Sequence, residues 1–153
     1  MKRVLMIAFH YPPVRGSSGV HRTLAFSRHL REHGWEPIVL TAHPRAYPER
    51  SDDQMGDIPA GIVVRRAFAL DATRHLALAG RYMLRSALPD SWAAWAWGAV
   101  PAGMRLIRRH KPAAIWSTYP IATAQKIGLK LHRKSGLPWI ADLRDSMTEP
   151  GYP

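Results

Sequence analysis

One stretch of this sequence has residue types suited to phosphate chemistry: Gly16-Ser17-Ser18-Gly19, set between Arg15 and the pair His21-Arg22. A glycine-rich loop that opens a helix leaves backbone N–H groups free. It also aims the positive end of the helix dipole at whatever sits there, so it can hold a phosphate. The same two glycines also ease a strand-to-helix turn, and the residues alone leave both readings open. The loop is not the G-x-G-x-x-G dinucleotide fingerprint. The following strand ends Leu40-Thr41-Ala42-His43 with no acid for a ribose hydroxyl, and no G-K-[ST] of a P-loop occurs.

Other constellations are weaker. His29 and His33 have the spacing of two metal ligands on one helix, but no Glu follows His29 and no third ligand is evident, so no metal is expected. No Ser-His-Asp order and no paired carboxylates stand out. Asp142 and Asp145 end a strand and face the ligand crevice; Asp142 suits capping of the next turn, and Asp145 is the stronger functional candidate. Trp92, Trp95 and Trp97 precede Arg105, Arg108, Arg109 and Lys111. That order reads either as a membrane-surface helix or as a core helix with a solvated end.

The elements that must position these residues follow from the hydrophobic pattern. Arg3 to Phe9 is a continuous apolar run closed by His10-Tyr11-Pro12-Pro13, the signature of a strand buried on both faces. Val20, Leu24, Ser27 and Leu30 share one helical face, and Gly34 stops that helix. Residues 36–41 form a second strand, 42–60 a long loop and 61–66 a third strand. Asp71 caps a helix expected to reach about Leu88. A further helix over Trp92–His110 is expected to kink or split at Pro101. Ala113–Thr118 is a fourth strand, a helix follows through Ile121, Ala124, Ile127 and Leu131 to a stop at Gly136, and Pro138–Leu143 is a fifth.

Strands alternating with helices predict an α/β fold with a Rossmann-like, doubly wound parallel sheet of order 3-2-1-4-5 and helices on both faces. Its switch point lies between the first and fourth strands. The loops 9–22, 117–121 and 142–148 should therefore line the crevice. They bring in His10, Arg15, Gly16, Gly19, His21, Arg22, Tyr119, Arg144 and Asp145.

The chain has 153 residues, enough for one domain, and 46% of them are apolar, which excludes a disordered chain. It has no cysteine, so disulfides, thiolate metal sites and a cysteine nucleophile are excluded. Lys and Arg number 22 against 11 acids, giving +11. Residues 1–50 carry 8 basic and 3 acidic side chains, 51–100 carry 5 and 5, and 101–153 carry 9 and 3, so both basic thirds are expected to converge at the crevice. The apolar run after Met1-Lys2-Arg3 is too short for a secretory core. No window approaches a membrane span, and a cytoplasmic location is expected.

Val4-Leu-Met-Ile-Ala-Phe-His-Tyr-Pro-Pro13, the glycine loop with His21-Arg22-Thr23-Leu24, and His33-Gly-Trp-Glu-Pro-Ile-Val-Leu-Thr41 resemble the opening of family 4 glycosyltransferases. Ile115-Trp-Ser-Thr-Tyr-Pro120 and Gly136-Leu-Pro-Trp-Ile-Ala-Asp-Leu-Arg-Asp145 resemble later strands of the same domain. The resemblance implies the N-terminal, acceptor-side half of a GT-B enzyme of the polysaccharide-biosynthesis type. Such an enzyme transfers a sugar from a nucleotide-sugar donor to a glycan or lipid-linked acceptor, with retention at the anomeric carbon. It implies substrate-binding roles for His10, Arg15, Gly16, Ser17, Ser18, Gly19, His21, Arg22 and Tyr119, and places Arg144 where many relatives carry a histidine. Arg144 and Asp145 are the catalytic candidates. The nucleotide-sugar is a substrate, so no resident cofactor is expected.

The E-x(7)-E motif of the family's donor-binding domain is absent, the only glutamates being Glu32, Glu36, Glu49 and Glu149. Residues 1–153 are therefore expected to be a single acceptor-side domain that is inactive alone, with peripheral contact to an anionic membrane. The competing reading is a basic, non-enzymatic module for nucleic acid or anionic lipid. No recognised nucleic-acid motif accompanies the charge, and a nucleic-acid partner is not expected.

Overall fold

A computed structural model of the chain describes residues 1–75 and 89–143. Its elements are β1 (Lys2–Ile7), α1 (Ser18–His29), β2 (Trp35–Ala42), β3 (Val63–Ala67), α2 (Ala72–His75), α3 (Trp95–His110), β4 (Ala114–Thr118), α4 (Ala122–Ser135) and β5 (Trp139–Asp142). The five strands form one parallel sheet of order β3-β2-β1-β4-β5, the expected doubly wound arrangement.

The apolar runs are the reason for this order. Leu5, Met6 and Ile7 are wholly buried, as is all of β4 and most of β2, so these strands occupy the middle of the sheet, where both faces are covered. Adjacent residues of β4 point to opposite faces, and each meets a different helix. Trp116 stacks on Phe26 of α1, with ring centroids 4.8 Å apart. Ser117 faces Gly128 of α4 and accepts a 2.8 Å hydrogen bond from Trp139 Nε1. Leu40 of β2 lies under α3, beside Gly103 and against Leu131 of α4. Helix α1 thus covers one face, and α3 and α4 the other.

The helix stops read from the sequence hold: Gly34 and Gly136 both adopt the left-handed conformation that ends a helix. The first helix tightens into a 3-10 turn over Leu30–His33 before it stops. Asp71 caps α2, accepting from the Thr73 backbone N–H at 2.9 Å; the expected continuation of that helix to Leu88 lies outside the described residues.

One expectation is corrected. Helix α3 starts at Trp95 rather than Trp92 and runs through Pro101 without the split that was one of the two outcomes expected there. Pro101 is exposed, on the same side as Trp97, so the helix carbonyl that the proline cannot satisfy faces water instead of the core.

Candidate functional site

The crevice lies at the carboxyl ends of β1 and β4. The chain leaves β1 through Phe9 and His10, passes Pro12-Pro13, and reaches the glycine loop. Gly16 has φ +79°, which explains why a glycine stands there. Ser17 caps α1, its hydroxyl accepting from the Gly19 N–H at 3.2 Å. The loop is stapled to the segment after β2. Arg15 N donates to Glu49 O at 3.1 Å and Ser51 N to Pro13 O at 2.9 Å.

Two clefts flank this staple, on the β1–β2 side of the switch point. The outer one, about 460 Å³, is lined by Val14 to Ser18, Val20, His21, Ser51, Asp53 and Gln54. The inner one, about 270 Å³, is bounded by Phe9, His10, Val14 to Ser17, Pro48, Glu49 and Trp92. Arg15, Gly16 and Ser17 border both. Among the described residues Arg15 has no ion pair, while Asp53 and Glu49 each place a carboxylate at one cleft.

The sequence-expected residues separate into groups. Arg15, Gly16, Ser17, Ser18 and His21 line the outer cleft, where His21 Nδ1 meets Gln54 Nε2 at 3.2 Å. His10, Gly19 and Tyr119 meet in a junction too tight to admit a water molecule, closed by Thr23 and Pro120. A Cβ on Gly19 would lie 2.8 Å from His10 Nδ1, so this glycine is what lets the histidine reach the helix. Arg22 is at the crevice, but its guanidinium is held by both oxygens of Asp142, at 2.9 Å and 2.8 Å, and sits over the Phe26 ring. Asp142 also accepts from Thr118 Oγ1 at 2.9 Å, so its carboxylate joins α1, β4 and β5; the turn it was expected to cap lies outside the described residues. Arg144 and Asp145 lie outside the described residues.

Beneath the inner cleft Phe9 packs edge-on against Tyr47 at 5.3 Å and Trp95 at 5.5 Å. The Tyr47 hydroxyl donates to Phe9 O at 2.9 Å and contacts Thr41 Oγ1 at 3.0 Å; burial pushes its pKa up to about 12. At the end of β2, His43 titrates below its ordinary range through desolvation and the neighbouring Arg45, Arg66 and Arg50. Its ring nitrogen accepts from Arg45, the arrangement of a neutral imidazole.

Glu49, Ser51, Asp53 and Gln54 were not singled out from the sequence, and Trp92 was named there only within the Trp92–Trp97 group, not for the crevice. For the first four a signal was there: the loop leaving β2 also starts at a strand carboxyl end and must reach the same edge. Nothing local marks Trp92.

The three tryptophans do not act as one set. Trp95 is in the core, its Nε1 without an acceptor among the described residues. Trp92 is half-buried and donates to Ala46 O, and only Trp97 is exposed, at 71%. His29 pairs with Glu32 at 3.0 Å, and no group of three or more metal-ligating side chains occurs among the described residues. No helix among them is long and apolar enough to cross a membrane.

The expected convergence of positive charge on the crevice is also corrected. Among the described residues at that edge, Arg15, Arg22, Arg45, Arg50, Arg66 and Arg74 are matched in number by Glu49, Asp52, Asp53, Asp71, Asp90 and Asp142. The excess lies at the opposite edge: Lys2 and Arg3 of β1, Arg105, Arg108, Arg109 and Lys111 at the end of α3, and Lys130, Arg133 and Lys134 at the end of α4. None of these nine is ion-paired among the described residues. The reason is topological, because strand N-termini and helix C-termini share one edge, and cations gather in last helical turns.

No family model and no curated protein matches the chain. Among solved structures it is similar to a glycosyltransferase from Streptomyces sp. SF2575 complexed with thymidine diphosphate, at 18% identity and a TM-score of 0.57. That likeness covers 92% of this chain and 38% of the glycosyltransferase, so the chain spans well under half its length. It is similar also to the C-terminal domain of a hydrogenase from Pyrococcus furiosus, at 11% identity and a TM-score of 0.56, covering 93% and 91%. Both likenesses are of fold: a parallel, Rossmann-like sheet of the kind a GT-B enzyme contains.

Proposed function

We propose that this chain is the acceptor-side, Rossmann-like domain of a retaining, nucleotide-sugar-dependent glycosyltransferase resembling family 4. The observation that carries the reading is the Gly16–Gly19 loop. It has one left-handed glycine and a serine cap, and it stands beside two clefts at the strand carboxyl edge, on the β1–β2 side of the switch point, of a sheet also found in a glycosyltransferase solved with thymidine diphosphate. The hydrogenase domain has a comparable sheet, so the fold alone does not select this function and the loop must.

In this reading the donor diphosphate lies in the outer cleft, held by the Arg15 guanidinium and by the Ser18 N–H at the start of α1. The acceptor hydroxyl approaches from the inner cleft, between His10 and Glu49. Most of the donor would be bound by a second domain carrying the paired glutamates, with Arg144 and Asp145 near the transferred sugar. The acceptor is a glycan or a lipid-linked glycan at the cytoplasmic face of a membrane.

Titration with thymidine and uridine diphosphates, followed by amide NMR, tests this. Shifts confined to residues 15–21 and lost in Arg15→Glu are expected. No shift at millimolar nucleotide would remove the donor-site assignment. Sugar transfer by this chain alone, at about 10 s⁻¹, an ordinary enzyme rate, would remove the requirement for a second domain.

A further inference from the structure

Strand β3 is an outer strand of the sheet, and among the described residues it pairs only with β2. Its other edge offers alternate backbone N–H and C=O groups, the template onto which an extended chain can add. Beside it, between β3 and α3, lies a cleft of about 310 Å³, far from the glycine loop. Its floor is apolar, formed by Val63, Ala102 and Leu106, with Val63 36% exposed. Its rim carries Arg65, Arg105 and Arg109, all exposed and none ion-paired among the described residues, and no carboxylate lines it.

The spacings match an extended acidic peptide. Arg105 and Arg109 are four residues apart on α3, which puts their side chains on one face about 6 Å from each other. Alternate residues of a strand also share a face and are spaced about 6.6 Å. A strand laid along β3 would therefore present carboxylates to both arginines and an apolar side chain to the floor. Such contacts are charge-assisted and bidentate. A bilayer, being flat, does not reach into a cleft beside a sheet edge. The lining offers no Phe, Tyr or Trp platform for base stacking, His110 being its single ring, which argues against single-stranded nucleic acid. We propose that the β3–α3 cleft is a docking site for an extended peptide segment with two acidic residues two positions apart and an apolar residue two positions further on, all on one strand face, bound by strand addition.

The test uses a fluorescein-labelled peptide of sequence Thr-Glu-Thr-Glu-Thr-Val-Thr, whose two glutamates and valine share one strand face, and anisotropy. Micromolar binding is expected, weakened about tenfold or more by Arg105→Glu with Arg109→Glu, by Val63→Asp, and by N-methylation of alternate peptide amides. Arg133→Glu with Lys134→Glu makes the same charge change on the same edge of the molecule and should leave binding within about twofold. If the first double variant does not fold by circular dichroism, Arg105→Gln with Arg109→Gln replaces it. Absence of binding, or equal losses in the two double variants, overturns the proposal. So does binding of phosphatidylserine vesicles or duplex DNA that needs Arg105 and Arg109 while the peptide is ignored.

Discussion

Tyr47 illustrates the cost of a buried polar atom and how it is met. Its hydroxyl sits in the aromatic layer under the inner cleft, bonded to Phe9 O and Thr41. Removing it in Tyr47→Phe leaves buried acceptors less well satisfied, and a loss of about 1–2 kcal/mol in urea denaturation is expected. The raised pKa also fixes an alkaline dependence. Between the ordinary value of 10.0 and about 12, the unfolded chain releases the phenolic proton while the folded chain keeps it, so stability falls as pH rises. The loss should approach on the order of 2 kcal/mol across that window, and Tyr47→Phe should flatten it; parallel curves for the two proteins would refute the assignment. At the site itself Gly16 and Gly19 differ in kind. A Cβ on Gly16 meets only Glu49 Oε2 at 3.7 Å, so Gly16→Ala carries only the left-handed backbone penalty, about 1 kcal/mol. Gly19→Ala must displace the His10 ring, and a larger loss, about 1–3 kcal/mol, is expected.

Helix α4 opposes two rules that act in different directions. On helix propensity Gly128→Ala should stabilise by about 1 kcal/mol. Yet a Cβ there would lie 2.5 Å from Trp139 Nε1 and 2.9 Å from Ser117 Oγ, two atoms already bonded to each other between β4 and β5. Packing should win, and thermal unfolding should show Gly128→Ala destabilised by about 1–3 kcal/mol; a raised Tm would mean the sheet relaxes freely. The sequence marks Gly128 as a small contact residue on a helical face but gives no hint of its neighbour. The start of α4 makes the same point. No residue at its own start caps it; Asp90, on the approach to α3, accepts from the Thr123 N–H at 2.6 Å and from its hydroxyl at 2.8 Å. Asp90→Ala should therefore weaken a helix more than thirty residues away, by about 1 kcal/mol.

At the scale of the whole molecule the charge of the described residues is polarised along the strands, near balance at the crevice and strongly positive at the far edge. Crowding nine unpaired cations on one edge stores self-repulsion. Raising NaCl to about 0.5 M, where the screening length is about 4 Å, should raise the urea midpoint; a midpoint that falls would mean that attractive pairs dominate instead. The sequence by itself determined the strand and helix order and the helix stops at Gly34 and Gly136. It also determined the placing of the 9–22 and 117–121 loops at one edge, because periodicity, glycine geometry and the right-handed crossover are local or topological rules. The tertiary structure alone decided which side chains were free. Arg22, a phosphate candidate by position, is held by Asp142, 120 residues away, and of three tryptophans so close in sequence only Trp97 stays exposed. The far-edge charge was legible as a number but not as a place. Residues 1–50 and 101–153 share the excess, and only the direction in which each helix runs decides at which edge its cations end up.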